Sequence, residues 1–391
     1  MIDHAVDVEA RTVQDRRVRR VLILSASYGS GHNEAARCVA AELARRGAEP
    51  ILLDHFRDVV HPLFDRATRT MYLMLLRHAP AVWGLAYALG DRLASDSPLT
   101  FGASRVGARA LGATLDRLAP DAVVSVHATP ALAMAVLARA GRRVPPHTTV
   151  ITDFVAHSQW IAPDIDRYCV AAEEVGRDLV ARGIPRSRVV VTGVPVRAEF
   201  AAAPEPAQAR RALGLPADVP VVLAMAGSWG SVGRLPDVAR ALARTSRPIV
   251  GVLVAGHDRD LRASLERLGR GAPLRIFGFV PDLHRLMAAA DLVVTKAGGM
   301  TLAEAMALEV PLLFYGSLPG QERRNERFAA AAGVALVARG RGDLDRLLDR
   351  ALRDPGLLEH LRAAMRARRR PDATRTIVDL ILADARTGAP R

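Results

Sequence analysis

The chain is poor in cysteine and in aromatic residues. Its two cysteines, Cys38 and Cys169, stand alone and form no C-x-x-C pair, which speaks against a disulfide framework and fits a reducing compartment. Aromatics make up 4% against 50% hydrophobic residues, so the core must rest on Ala, Val, Leu and Ile. The longest apolar stretch, Met71 to Gly90, is broken by Arg77, His78 and Pro80 and makes a poor membrane span. No apolar h-region near the N-terminus marks a signal peptide. Gly and Pro are scattered, which argues against long low-complexity tracts. No helix-turn-helix or RNA-binding signature accompanies the net charge of +13, so nucleic acid is not expected as a partner. That charge is almost all arginine. It fits either a solvated surface or attraction to an anionic membrane and phosphate-bearing substrates.

With 391 residues, two domains of similar size are expected. Residues 1–19 read as a flexible N-terminus. Val21 to Leu24 then reads as a buried parallel strand. A loop from Ser25 to His32 follows, then a helix from about Asn33 to Arg46 closed by Gly47, and a strand at Ile51 to Asp54. Strand-like runs recur at Ala122 to Val126, Thr148 to Thr152, Arg167 to Val170 and Val189 to Thr192. The second half repeats the scheme with Val221 to Met225, the loop Ala226 to Ser231, and runs at Ile249 to Val254, Leu274 to Phe277, Leu292 to Thr295 and Leu312 to Tyr315. This alternation predicts an α/β fold of two Rossmann-like, doubly wound domains, 20–200 and 201–372, divided near Pro204-Glu205-Pro206. The segment 373–391 reads as a helix that can return to the first domain. Ligands of open α/β sheets bind outside the carboxyl ends of the strands, so the two domains should face one cleft.

The most informative segment is Lys296-Ala297-Gly298-Gly299-Met300-Thr301-Leu302-Ala303-Glu304, where a strand gives way to a helix. The glycine pair lets backbone N–H groups approach a ligand, and the helix N-terminus favours a diphosphate. Glu304, one turn after Thr301, can accept bonds from a ribose diol. A capping box would explain Thr301 and Glu304 without a ligand, but not the glycines. Gln321 and Asn325, a helical turn apart after Pro319-Gly320, offer amides suited to sugar hydroxyls. A plain polar helix start explains them equally well. Three polar groups stand at strand ends of the first half. His32 and Asp153 are rival general bases, and His127 is a third cleft candidate. Asp164-Ile165-Asp166 and Asp258-Arg259-Asp260 have D-x-D spacing but follow no clear central strand, so no metal is expected.

Together these motifs resemble the family of monogalactosyldiacylglycerol synthases and processive diacylglycerol glucosyltransferases, relatives of MurG. The resemblance rests on Ser27 to His32, Thr152 to Trp160, Val191 to Arg197, Lys296 to Gly299 and Pro319 to Glu322, and runs from about Val21 to Val337. Ala297 stands where family members often carry Pro. The resemblance implies the GT-B fold and transfer of a hexose from a UDP-sugar to a lipid acceptor such as diacylglycerol, with inversion by direct displacement. It implies that His32 activates or positions the acceptor, with Asp153 as the other catalytic candidate. The donor side takes Gly227, Ser228, Phe279, Val280, Lys296, Gly298, Gly299, Met300, Thr301, Glu304, Gln321, Glu322 and Asn325. The acceptor side takes Gly29, Gly31, Trp83 and His127. Arg197 is an interdomain phosphate candidate, although it could equally be a solvated linker cation.

No cofactor beyond the co-substrate is expected. The segment Phe56 to Thr100, where Phe64, Met71, Met74, Trp83 and Leu85 alternate with arginines, suits an anionic membrane surface but also ordinary core helices. A cytoplasmic protein held peripherally at the inner face of the cell membrane is expected. A MurG-like or natural-product glycosyltransferase with another acceptor, or a non-catalytic or epimerase-type nucleotide-sugar binder, is the alternative. The sequence leaves the oligomeric state open.

Overall fold

The computed structural model describes residues 18–92, 107–162, 164–227 and 234–387. Twelve strands form two six-stranded sheets, and every pairing is parallel. The first sheet runs in the order β2-β1-β3-β4-β5-β6. Its members are β1 Arg20–Ser25, β2 Glu49–Asp54, β3 Ala122–Ser125, β4 His147–Val150, β5 Arg167–Val170 and β6 Val189–Val191. The second runs β12-β11-β10-β7-β8-β9. Here β7 is Val221–Met225, β8 Val250–Val254, β9 Leu274–Phe277, β10 Leu292–Thr295, β11 Leu312–Tyr315 and β12 Ala335–Ala338. The last of these, β12, was not among the runs read from the sequence. It is short and only partly buried at Leu336 and Val337, so it lacks the solid apolar run of its neighbours.

The central strands are apolar because helices cover both faces of each sheet. Val21, Leu22, Ile23 and Leu24 have no exposed surface, nor do Leu312, Leu313 and Phe314. Each sheet reverses its winding once, between β1 and β3 in the first and between β7 and β10 in the second. These switch points open crevices at the carboxyl ends of those four strands. The loops there carry His32 and His127 on one side and Gly227 and Lys296 on the other.

The segment after β2 folds as a π-helical turn, His55–Val60, and two helices, Pro62–His78 and Pro80–Arg92. Pro80 ends the first of these, because its ring disfavours helical backbone at Ala79. The final helix, Ala373–Thr387, lies against helix Ser30–Arg45 and β3. Arg19 donates to the Ala385 carbonyl at 2.6 Å, and Arg167 makes a two-pronged contact with Asp384. The chain therefore closes over its first sheet after completing the second.

Candidate active site

Helix Ser30–Arg45 starts three residues before the position expected from periodicity, with Gly29 as its extended N-cap. His32 thus lies within the first turn and is not the cap. Its Nδ1 sits 2.8 Å from the Val126 carbonyl oxygen, at the end of β3. A carbonyl only accepts, so Nδ1 carries the proton and Nε2 of the neutral ring keeps its lone pair. Thr152 Oγ1 lies 3.2 Å from the same Nδ1. Burial of the ring holds its pKa below the usual imidazole value, while the charge of Asp153 and the Val126 bond work the other way. This is a neutral, oriented imidazole with one free basic nitrogen.

His127 packs edge-to-face on His32, with centroids 4.8 Å apart. The Thr129 backbone N–H donates to its Nδ1 at 3.2 Å. A neutral His127 therefore carries its proton on Nε2 and offers a donor. Burial and its histidine neighbours push its pKa well down. This tautomer suits His127 to the acceptor side as a hydrogen-bond donor and leaves it no free basic nitrogen.

Asp153 has both oxygens engaged across the domain boundary. Gln321 donates to one at 2.9 Å and Asn325 to the other at 3.1 Å. Burial raises its pKa, against the His32 charge and the Asn325 bond. In this conformation neither oxygen is free to take a proton from an acceptor, and the charge of Asp153 favours a protonated His32. Asn325 has no exposed surface. Its oxygen accepts from Phe154 N and its amide also donates to the Ala297 carbonyl at 3.1 Å. In this conformation Gln321 and Asn325 bind Asp153, where the sequence reading gave them sugar hydroxyls.

The glycine pair divides its work. Gly298 is the N-cap of helix Gly299–Leu308, so Thr301 lies inside the first turn and Thr301-x-x-Glu304 is no capping box. A Cβ on Gly299 would fall 2.1 Å from the Thr152 carbonyl oxygen, whereas one on Gly298 would find its nearest neighbour at 3.9 Å. Gly299 is thus required by the other domain's backbone. Met300 is buried and fills the space beside Gly31, where a Cβ would meet it at 3.3 Å. Nothing lies within 4 Å of a Cβ at Gly29.

Lys296 is the only lysine in a chain whose lysines and arginines number 54. It ends β10 at the second switch point, pairs with Glu322, and touches Gly227, where a Cβ would lie 3.2 Å from its Cε. Glu322 also accepts from Leu318 N at 2.8 Å, which fixes the loop before helix Gln321–Ala331. Glu304 is buried. Burial pushes its carboxyl up to about 8, with Arg197 opposing and Glu34 reinforcing. Arg197 itself lies 3.3 Å from Glu34 and donates to the Pro281 carbonyl, which makes it an interdomain tie and corrects the solvated reading. Phe279 is 53% exposed and stacks on His257 at 4.2 Å, while the neighbouring Val280 packs against the core. Ser228 lies outside the described residues.

On the acceptor side Trp83 meets Tyr72 edge-on at 5.0 Å, and Tyr28 contacts Phe56, Tyr72 and His127. Three of the four D-x-D acids have partners within the protein. Asp164 pairs with Arg139, Asp166 accepts from His147 N, and Asp258 caps a helix through Leu261 N. Sequence reasoning missed Thr152, Tyr87, Asp91 and His257 as individual residues. Only the spacing of Tyr87 and Asp91, four apart on one helix, could have drawn attention.

Residues 32–196 match the monogalactosyldiacylglycerol (MGDG) synthase family, and residues 230–354 match the glycosyltransferase family 28 C-terminal domain. The chain is 30% identical over 369 residues to a processive diacylglycerol beta-glucosyltransferase of Bacillus mycoides (strain KBAB4), covering 93% of this chain and 94% of that relative. The chain belongs to this glycosyltransferase family. A second family member, from Bacillus pumilus (strain SAFR-032), is 29% identical over 366 residues, with 93% and 94% covered. Among solved structures, Acinetobacter baumannii MurG superposes with a TM-score of 0.66 at 19% identity, covering 94% of this chain and all of that one. A UDP-GlcNAc 2-epimerase from Neisseria meningitidis gives 0.58 at 14%, with 94% and 100% covered. Transferase and epimerase share this GT-B architecture, so the fold alone does not choose between them; membership of the family does.

Proposed function

We propose that this glycosyltransferase moves a hexose from a UDP-sugar to a diacylglycerol-type lipid at a membrane surface, by direct displacement with inversion. The observation that carries the reading is the pairing of two switch points. The free Nε2 of His32 stands at one, and the chain's single lysine with a helix N-terminus stands at the other. In the proposed step, His32 Nε2 takes the proton of the acceptor hydroxyl as its oxygen attacks the anomeric carbon. The bond from that carbon to the UDP oxygen breaks, and the electron pair leaves on the diphosphate. Lys296 and the N–H groups at the start of helix Gly299–Leu308 offset the charge that develops there. Asp153 favours the imidazolium, and the His127 Nε2–H is suited to hold the acceptor oxygen. Glu304 is assigned to the donor ribose.

A compact ammonium suits a site walled by Gly227 better than the broad fork of arginine. Metal-free turnover is part of the proposal, because those cationic and dipolar groups supply the offset that a divalent ion otherwise gives. Among the described residues no helix is long and apolar enough to cross a membrane. Peripheral attachment on the cytoplasmic side is assigned to helices Pro62–His78 and Pro80–Arg92, because they expose Leu63, Met71, Met74, Val82, Leu85 and Leu89. The test is UDP release with and without diacylglycerol, repeated after exhaustive chelation. Acceptor-dependent release that survives chelation is the expected result. Release that ignores the acceptor, or that returns only with added magnesium or manganese, overturns the corresponding part.

A further inference from the structure

Helix Pro80–Arg92 has two faces with different partners. Val82, Leu85 and Leu89 are 56%, 62% and 52% exposed. Their spacing of three and four residues sets them on one stripe. Gly84, Tyr87 and Asp91 share the same spacing on the opposite stripe. Gly84 and Tyr87 touch the donor loop of the second domain, and Asp91 touches the first turn of the helix that follows it. A Cβ at Gly84 would fall 2.6 Å from Pro319 Cβ. The Tyr87 ring covers Gly320, whose φ of +98° and crowded Cβ position both demand glycine. Asp91 pairs with Arg324 and also accepts from Ser158 N at 2.8 Å. The next residue after Gly320 is Gln321, which donates to Asp153.

We infer that this helix couples the bilayer to the donor site: its outer stripe enters the lipid surface, and its inner stripe sets the position of the donor loop. Tyr87 and Asp91 are then positioning residues for the reaction. The inference rests on the membrane-surface reading above and adds a consequence to it. A lipid surface is the occupant favoured by the flanking chemistry. Leu63, Met71 and Met74 on helix Pro62–His78 are exposed beside Arg66 and Arg77, so apolar and cationic groups present together, and the whole chain carries +13. An acceptor dissolved in a bilayer also has to arrive from that side. Immersing the outer stripe limits the tilt and sliding of the helix. Because Gly84 and Gly320 leave no slack between helix and loop, the restriction passes to residues 319–321.

The test separates docking from coupling. Wild-type protein is sedimented with equimolar phosphatidylcholine and phosphatidylglycerol vesicles, and the donor KM is measured with a short-chain, water-soluble diacylglycerol, with and without the same vesicles. The expected result is co-sedimentation together with a donor KM lowered about fivefold or more by vesicles. Asp91→Ala, and Arg324→Gln as a second break of the same pair from the other domain, should co-sediment like wild type but lose the KM response. Leu85→Ser/Leu89→Ser should lose both. Co-sedimentation with an unchanged wild-type KM overturns the coupling and leaves docking intact. Failure to co-sediment overturns both, as does self-association of the chain through the stripe in sedimentation velocity. A full KM response in both Asp91→Ala and Arg324→Gln also overturns the coupling.

Discussion

Glu304→Gln tests the donor side most directly, because it should move stability and binding in opposite directions. The Glu304 side chain is buried, and its carboxyl is pushed up to about 8 from an ordinary 4.5. Between those two values the folded protein holds a proton that the unfolded chain has released. Stability therefore falls as pH rises through that window and is fully present only below it. The whole shift corresponds to about 5 kcal/mol. Movement of Arg197 toward the ionised carboxylate recovers part of this, since a charged hydrogen bond is worth about 1.5–3 kcal/mol, leaving a net loss of at least about 2 kcal/mol. Glutamine has nearly the same shape and does not titrate. Urea unfolding at about pH 5.5 and about pH 8.5 should show wild type losing stability across the interval and Glu304→Gln holding level, ending at least about 2 kcal/mol more stable at the higher pH. Calorimetry at about pH 8.5, where the carboxylate is ionised, should show UDP binding weakened by about 1–3 kcal/mol in the same variant, as expected for a lost charged acceptor. Parallel stability curves would mean that the carboxylate is ionised in the free protein. Unchanged UDP affinity would remove Glu304 from the site.

Three further predictions concern the cleft. His32→Ala should keep the fold and donor affinity while lowering single-turnover transfer about 100-fold or more, and a near-normal chemical step would demote His32 to binding. Because burial lowers the His32 pKa, wild-type turnover should persist below pH 6.5 and fail only where the ring finally takes up a proton. Gly299→Ala should cost about 1–3 kcal/mol by forcing a methyl into the Thr152 carbonyl, while Gly298→Ala should be close to neutral in thermal unfolding. Equal effects at the two glycines would refute the steric assignment.

Much of the fold was legible because buried parallel strands leave solid apolar runs bounded by loops. Val221–Met225, Leu292–Thr295 and Leu312–Tyr315, buried throughout, occupy the spans read from the sequence. The chemistry-bearing residues were legible for a related reason. A strand end followed by glycine and a polar residue is recognisable locally, and His32, Gly227 and Lys296 sit at such ends, while His127 follows its strand without a glycine. What could not be read was which polar group meets which. Asn325 and Asp153 are 172 residues apart, and nothing in either neighbourhood says that an amide suited to sugar hydroxyls will meet a carboxylate. Gly299 gives the same lesson from the steric side. Its neighbourhood argues for close approach, but only the fold shows that Thr152 does the approaching.

The interdomain contacts also bear on how the cleft works. Asp153 accepts from Gln321 and Asn325, Gly299 abuts Thr152, Met300 fills the space beside Gly31, and Arg197 lies against Glu34 while bonding Pro281. Four of the five motifs that carry the family resemblance therefore meet one another directly, through His32 and Thr152, Thr152 and Gly299, Asp153 and Gln321, and Lys296 and Glu322, while Val191 to Arg197 reaches the flanking residues Glu34 and Pro281. Polar groups buried in such a contact are costly to separate unless something replaces their partners. A UDP-sugar carries hydroxyls and a diphosphate that can do so for Gln321, Glu304 and Lys296. Donor entry thus exchanges protein partners for ligand partners at the same atoms. In the proposed function the energy of opening is offset by binding, and loss of the Gln321 bond leaves one oxygen of Asp153 free to act on His32.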